Sequence, residues 1–406
     1  MPHPLTDTER KLLHFAKHDL ANNLLLWWAT HAVDEINGGF HGEVNADNTP
    51  NTRADRFLVL YARLLWTFSA AYAITHDATH KTLATRAYDY LTTHFYDICH
   101  GGFFLYTDEF GRVINDRKYT YGNAFAIYGL AEYARVFNHA PAKQLAHQTA
   151  ALLDAKMWDT QYMGYFEIAG REWDYMPHIT MHGNGTESQK TMNTHLHVLE
   201  AYANLLRLET PDDPSTLRHR VRTLLHLFAD RIINRAGHHF HYYQARDWTV
   251  TNPNYSVGHD LEGSWLLHEA AQILNEPETL EDIRPLCIKM ARAGYDIARA
   301  PHGGIYTEYD VHKQTYSPQF SWWEQAEGVV AFLHAYHQTG EEKFLQASAA
   351  TLDFIEANFI DRTHGGWYIF PPAQGTPFPL KASPYYCPYH NARMSIEIIH
   401  RLGGKS

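Results

Sequence analysis

Apolar residues recur at helical spacing in two alternating kinds of stretch. One kind is charged and amphipathic, and falls near 8–30, 82–98, 142–157, 215–233, 281–299 and 341–359. The other is apolar around most of its circumference, and falls near 56–76, 119–137, 193–208, 258–274, 321–338 and 388–402. In the fifth of these, Trp322, Ala326, Val329, Leu333 and Tyr336 form a stripe at helical spacing. A helix apolar on most sides belongs inside a fold, and an amphipathic one belongs outside. Polar residues within the apolar set are therefore paired or functional.

A glycine-marked turn separates the two members of each pair. The turns are Gly38-Gly39-Phe40, Gly101-Gly102-Phe103, Gly164-Tyr165-Phe166, Gly237-His238-His239-Phe240, Gly303-Gly304-Ile305 and Gly365-Gly366-Trp367, spaced 63, 63, 73, 66 and 62 residues apart. Most follow an Asp or Asn: Asp34, Asp97, Asp159, Asn234 and Asp361. A short β-like run comes after each turn. Such a period marks stacked or circular supersecondary units. Six helix pairs predict an all-α (α/α)6 barrel, an inner ring of helices within an outer one, with a central cavity. A chain of 406 residues suggests two or three domains by length. The repeat instead runs without a linker, so residues 1–406 are read as one catalytic domain. The aperiodic stretch 171–192 reads as a loop over the cavity mouth.

Composition narrows the function. A net charge of −11 argues against a nucleic-acid partner. Aromatics make up 14% of residues, with 26 Tyr and 10 Trp, enough to fill a helical core and still line a sugar cleft. Cys99, Cys287 and Cys387 form no CxxC pair, which fits a reducing compartment. The N-terminal stretch lacks a secretory pattern, and no apolar run approaches the ~18 residues of a membrane span. A cytoplasmic protein, monomeric or homodimeric, is expected.

Candidate chemistry sits at the starts of the apolar stretches. His197, His259 and His390 are read as occupying equivalent places in three repeats, converging on one mouth. Histidine suits proton transfer near neutrality. Same-face partners stand nearby: Glu262 three residues after His259, Asn193 four before His197, and Glu327 four after Trp323. A carboxylate beside an imidazole fixes its tautomer; the alternative makes Glu262 and Glu327 solvated helix charges. Arg63 lies in an otherwise apolar helix and needs an oxygen-rich partner, either a substrate or a structural glutamate. Tyr121 and Asn123 hold the corresponding place in the second repeat. His195 and His197 project about 200° apart on a helix, so they do not chelate one metal. Phosphate loops, a GxSxG elbow and a plausible cysteine nucleophile are absent from the sequence. No metal or other cofactor is expected.

Four motifs carry a resemblance: 192–202, 258–270, 322–327 and 387–393, reading MNTHLHVLEAY, GHDLEGSWLLHEA, WWEQAE and CPYHNAR. With 62–72 and 120–128, they resemble the N-acylglucosamine 2-epimerase superfamily, above all its cellobiose 2-epimerase branch. The resemblance implies an (α/α)6 barrel that inverts C2 of a reducing-end aldose, or makes a ketose, without a cofactor. It implies active-site positions at Arg63, Tyr121, Asn193, His197, His259, Glu262, Trp323, Glu327 and His390. By that analogy His259 and His390 move protons on opposite faces of a cis-enediolate. Arg63 and His197 would stabilise its oxygens, Glu262 would support His259, and Glu327 would bind hydroxyls or support His390. Trp323 would stack under the sugar.

The chain departs from the branch at Tyr385, where tryptophan is common, and at Gly185, Glu324 and Gly263. Tyr385 and Gly185 bear on the grip on a second sugar. Mannose 2-epimerisation and mannose–fructose isomerisation therefore stand beside the cellobiose reading. A glycoside hydrolase using Asp260 and Glu327 and a non-catalytic binding module are the remaining classes.

Overall fold

The structure is a computed structural model and describes residues 4–176, 189–210, 216–372 and 377–405. The outer helices span 7–31, 78–95, Ala140–Lys156, 216–232, 277–298 and Glu342–Asn358. The inner helices span Leu58–Thr75, Thr120–Phe137, Met192–Leu206, Val257–Leu274, Trp322–Thr339 and Tyr389–Leu402. Each inner helix packs on the next, and the sixth packs on the first, which closes the ring. The sixth inner helix also packs on the first outer helix, so the two ends of the chain make the last pair. This is the (α/α)6 barrel expected from the repeat.

The inner helices are buried on all sides, as their pattern requires; every residue of Met192–Leu206 is buried. Leu58–Thr75 corrects one expectation, because by length and composition alone it could cross a membrane. Most of it is buried inside the ring, which accounts for its apolarity. Four outer helices widen into a π turn, inside the first at Leu20–Leu24 and at the ends of three others at Leu91–Phe95, Phe228–Ile232 and Gly294–Ala298. A 3.6-residue period carries no sign of these turns.

Each repeat leans on the next at the mouth. The first backbone N–H of an inner helix donates to a carbonyl in the following hairpin: Leu58 to Leu105, Thr120 to Glu167, Met192 to Tyr242, Val257 to Thr307 and Trp322 to Ile369, at 2.9–3.1 Å. Short antiparallel strands complete the joint, such as Arg56–Phe57 with Tyr106–Thr107. Strand Leu380–Ala382 pairs with Glu43–Asn45, joining the sixth repeat to the first.

One hydrogen bond, made by five different side chains, positions the glycine turns. The fourth residue of an inner helix accepts from the backbone N–H just after the turn. Tyr61 holds Phe40, Asn123 holds Phe103, His195 holds Tyr165, Asp260 holds Phe240 and Gln325 holds Ile305, at 2.6–2.8 Å. Only an acceptor is required there, so the residue type drifts. Asn123, His195 and Asp260 thereby belong to the scaffold. The glycines are constrained by the same approach. Gly102 has φ +69°, and a Cβ on it would lie 2.4 Å from the Trp173 ring.

Buried aspartates complete the turns. Asp97 pairs with Lys118 Nζ at 3.0 Å, and Asp159 with Lys190 Nζ at 3.0 Å. Asp34 pairs with Arg56, and Asp361 with Lys381. In the fourth repeat the acid becomes Asn234, and the residue matching the cation is Tyr255. Both charges leave together, as burial of a lone charge would demand. Of the stretch 171–192, residues 177–188, with Gly185, lie outside the described residues. The part before them closes a turn: Arg171 binds Asp97, and Trp173 Nε1 donates to the His100 carbonyl at 3.0 Å.

Candidate active site

A cavity of about 320 Å³ opens where the inner helices begin. Arg63, Tyr121, Asn193, His197, His259 and Glu262 line one part of it. Trp322, Trp323, Tyr385, Tyr386 and His390 line the rest. All six inner helices contribute, each from its first two turns or the residues just before it. Of the positions expected from sequence, Glu327 alone stands back from the wall, behind His390. The three histidines do not occupy equivalent places. His390 is the second residue of its helix, His259 the third and His197 the sixth.

Each histidine is held through Nδ1. His390 Nδ1 lies 2.7 Å from Glu327 Oε1. His197 Nδ1 lies 2.9 Å from Glu200 Oε2, and His259 Nδ1 lies 2.7 Å from Ser256 Oγ. A carboxylate at Nδ1 takes the Nδ1–H tautomer and leaves Nε2 as the basic nitrogen. Burial, with Arg63 and Arg393 close by, pushes His390 well below the ordinary imidazole range. Burial also lowers His197, against the pull of Glu200. Both are neutral bases at pH 7. His259 and His390 flank the Trp323 ring, with centroids 4.7 and 5.4 Å away.

Among the described residues Arg63 bonds to no glutamate. Its Nη2 donates to Tyr121 Oη at 3.0 Å, and its guanidinium lies over the Phe125 and Tyr389 rings at 4.3 and 4.7 Å. Glu262 takes a different partner from the one expected. It bonds to Arg393 and lies 3.9 Å from His390 Nδ1, so its carboxyl serves the His390 side. Burial and the neighbouring Glu327 raise Glu262 to about 8, against Arg393. Buried polar atoms without a partner among the described residues gather on this wall: Arg63 Nε, Asn193 Oδ1, Glu262 Oε2 and Trp322 Nε1. Their clustering points to a ligand rich in hydroxyls.

Sequence reasoning missed the layer beneath. Arg393 is fully buried and bonds to Glu200, Glu262 and Glu327, the last at 2.6 Å. Tyr389 also bonds to Glu200. The available signals were Glu200 three residues after His197 and Arg393 three after His390, both on the histidine face. Glu262, Glu327 and His390 offer donor atoms within 4.8 Å of one another, as metal ligands do. The Arg393 guanidinium already bonds to both carboxylates and supplies the positive charge there, so the set does not fit a metal. The hydrolase reading meets a similar obstacle. Asp260 is spent on the Phe240 N–H, and neither it nor Glu327 lines the cavity. Cys387 is buried against Arg63, and burial pushes its thiol up, away from nucleophilic use.

The sequence profile of the N-acylglucosamine 2-epimerase (GlcNAc 2-epimerase) family matches residues 38–391. The chain belongs to that family. It is a carbohydrate epimerase, of the isomerase class, and its substrate is a small sugar. A cellobiose 2-epimerase of Bacteroides fragilis is 34% identical over 94% of this chain and 97% of its own. The solved cellobiose 2-epimerase of Bacillus thermoamylovorans matches with a TM-score of 0.91 at 31% identity, over 97% of this chain and 100% of that one. A D-mannose isomerase of Thermobifida fusca is 25% identical over 68% of this chain and 69% of its own. A GH76 α-mannanase of Bacteroides thetaiotaomicron, at 11% identity and a TM-score of 0.65 over 98% of this chain and 97% of that one, shares the fold.

Proposed function

We propose that this protein is a cofactor-independent, cytoplasmic 2-epimerase with a single catalytic domain, acting on the reducing-end glucose of a cellobiose-type disaccharide. One observation carries the chemistry. Two imidazoles, His390 of them neutral, flank one tryptophan ring in a cavity whose buried polar atoms lack partners among the described residues. The C2 proton of an aldose becomes acidic only in the open-chain aldehyde. Protonated Glu262, through Oε2, is placed to give a proton to the ring oxygen as O1 passes its own to the unprotonated Nε2 of His197. His390, through Nε2, then takes the C2 proton, and a cis-enediolate forms. Arg63, and His197 once its Nε2 has taken the O1 proton, donate to the developing charge on O1 and O2. Rotation about C2–C3 over the Trp323 face turns the other side of C2 to a proton donor. His390 returns the proton it took, or His259 gives one and is reprotonated through solvent as His390 loses its own; ring closure then returns a proton to Glu262 and to O1. The Trp322 N–H and the Asn193 side chain hold sugar hydroxyls, and Tyr385 at the rim meets the second sugar.

A monosaccharide reading is favoured by one feature: the second-sugar contact is a half-exposed tyrosine, 43% accessible, with its ring 5.0 Å from Phe57. The test is proton NMR in deuterium oxide, with cellobiose and mannose in separate tubes and a chelator present. Glucosyl-mannose bearing deuterium at C2 supports the disaccharide epimerase. Turnover of mannose alone moves the assignment to a monosaccharide enzyme, with glucose marking an epimerase and fructose an isomerase. No exchange with either sugar overturns the proposal.

A further inference from the structure

The layer under the cavity has a role of its own. Arg393 is on the sixth inner helix, and its three carboxylate partners are on the third, fourth and fifth. Nη1 faces Glu200 and the Tyr389 hydroxyl. Nη2 faces Glu262 and Glu327. Glu200 holds His197, and Glu327 holds His390. The third and sixth helices stand opposite each other in a ring of six. A single planar cation therefore stands behind imidazoles on opposite walls, a geometry suited to guanidinium and not to an ammonium. Its ring contacts, Tyr389 at 4.2 Å and Trp265 at 4.9 Å, fix its plane. The Trp265 Nε1 donates to Glu327 at 3.0 Å, which completes the second acceptor oxygen.

We infer that Arg393 is a positioning residue that couples His197 and His390 through Glu200 and Glu327, so that a change of charge on one wall is felt on the other. The inference rests on the proton-transfer reading above. The groups that bear on His390 are Arg63 from the first inner helix, His197 and Glu200 from the third, and Glu262 from the fourth. Glu327 from the fifth and Arg393 from its own helix complete them. Two signs follow. Arg393 disfavours a charged His390, so its loss makes that imidazole easier to protonate. Glu200 favours a charged His390 without touching it, so its loss does the reverse.

The test reads Arg393→Met, Arg393→Lys and Glu200→Gln in two ways. The first is the pH dependence of kcat/KM for C2 deuterium exchange. The second is titration of the histidine ring nitrogens by NMR in the absence of sugar. Arg393→Met is expected to move the His390 titration and the acid limb upward by about one pH unit or more. Arg393→Lys is expected to move them by less, since charge returns without the fork. Glu200→Gln is expected to move the His390 titration downward. An unmoved His390 in Arg393→Met overturns the coupling. If that variant does not fold, an unmoved His390 in Glu200→Gln overturns it. The ring titration needs no turnover. A wild-type protein inactive on both sugars would thus refute the epimerase reading and still leave the coupling decided.

Discussion

At the residue scale the site is built from neutral groups kept ready for protons. His390→Asn should lower C2 exchange by about 10²- to 10⁴-fold with a folded protein, as measured by deuterium incorporation. Glu327→Gln should do less harm, since an amide oxygen can still accept the Nδ1–H. Glu262 supplies the pH dependence. Its proton is held at neutral pH and lost as pH rises through about 8. Activity should therefore fall on the alkaline side near that pH, and Glu262→Gln should abolish that limb in a pH–rate profile. The residues lining the cavity were legible because each interrupts an apolar stretch: Arg63, His197 and Glu262 are all sixth in their helices. Arg393 was not, because a cation near a helix start gives no sign that three acids from other helices will surround it. The placement of Glu262 beside His390 was equally hidden, since it follows from neighbouring helices and not from i, i+3 spacing.

At the scale of the element, the recurring turn explains why polar residues in an inner helix are of two kinds. Those in the fourth position hold the N–H of the preceding glycine turn, and others, such as Arg63, His197 and Glu262, line the cavity. Asp260 is of the first kind, and burial raises it well above the ordinary carboxylate range. An acid raised on folding costs stability once pH exceeds its unfolded value. Asp260→Asn keeps the acceptor, as Asn123 shows in the second repeat. It should retain activity and gain stability relative to the parent as pH rises, in thermal melts at pH 5 and 8. Gly102→Ala should destabilise by about 1–2 kcal/mol from its left-handed φ alone, and by more from the collision with Trp173, in denaturant titrations. The helices and turns could be read from apolar spacing and glycine. The shared hydrogen bond could not, because Tyr, Asn, His, Asp and Gln have no common sequence signature.

At the scale of the whole molecule, four buried acid–base pairs fasten the turns around the ring. Burial pushes Asp34 up, but the Asn37 and Ile36 N–H groups and Arg56 more than offset it, leaving it at about 2. Asp361, with Lys381 and the His364 and Thr363 N–H groups, also lies at about 2. Asp97 and Asp159 are lowered in the same way. A depressed folded value stabilises above the unfolded range, near 4, and that stability is lost as pH falls below it. Unfolding followed by circular dichroism should therefore set in between about pH 4 and 2, and Asp97→Asn should flatten that dependence while lowering stability at pH 7. The barrel itself was readable from the even period. Its closure is a consequence of the strand Leu380–Ala382 reaching back to Glu43–Asn45. For a chain emerging from a ribosome, this means that five repeats can stack while the first still lacks its neighbour. The pocket has all its walls only once the sixth repeat has been made, and a chain cut before that repeat is an open arc with no chamber.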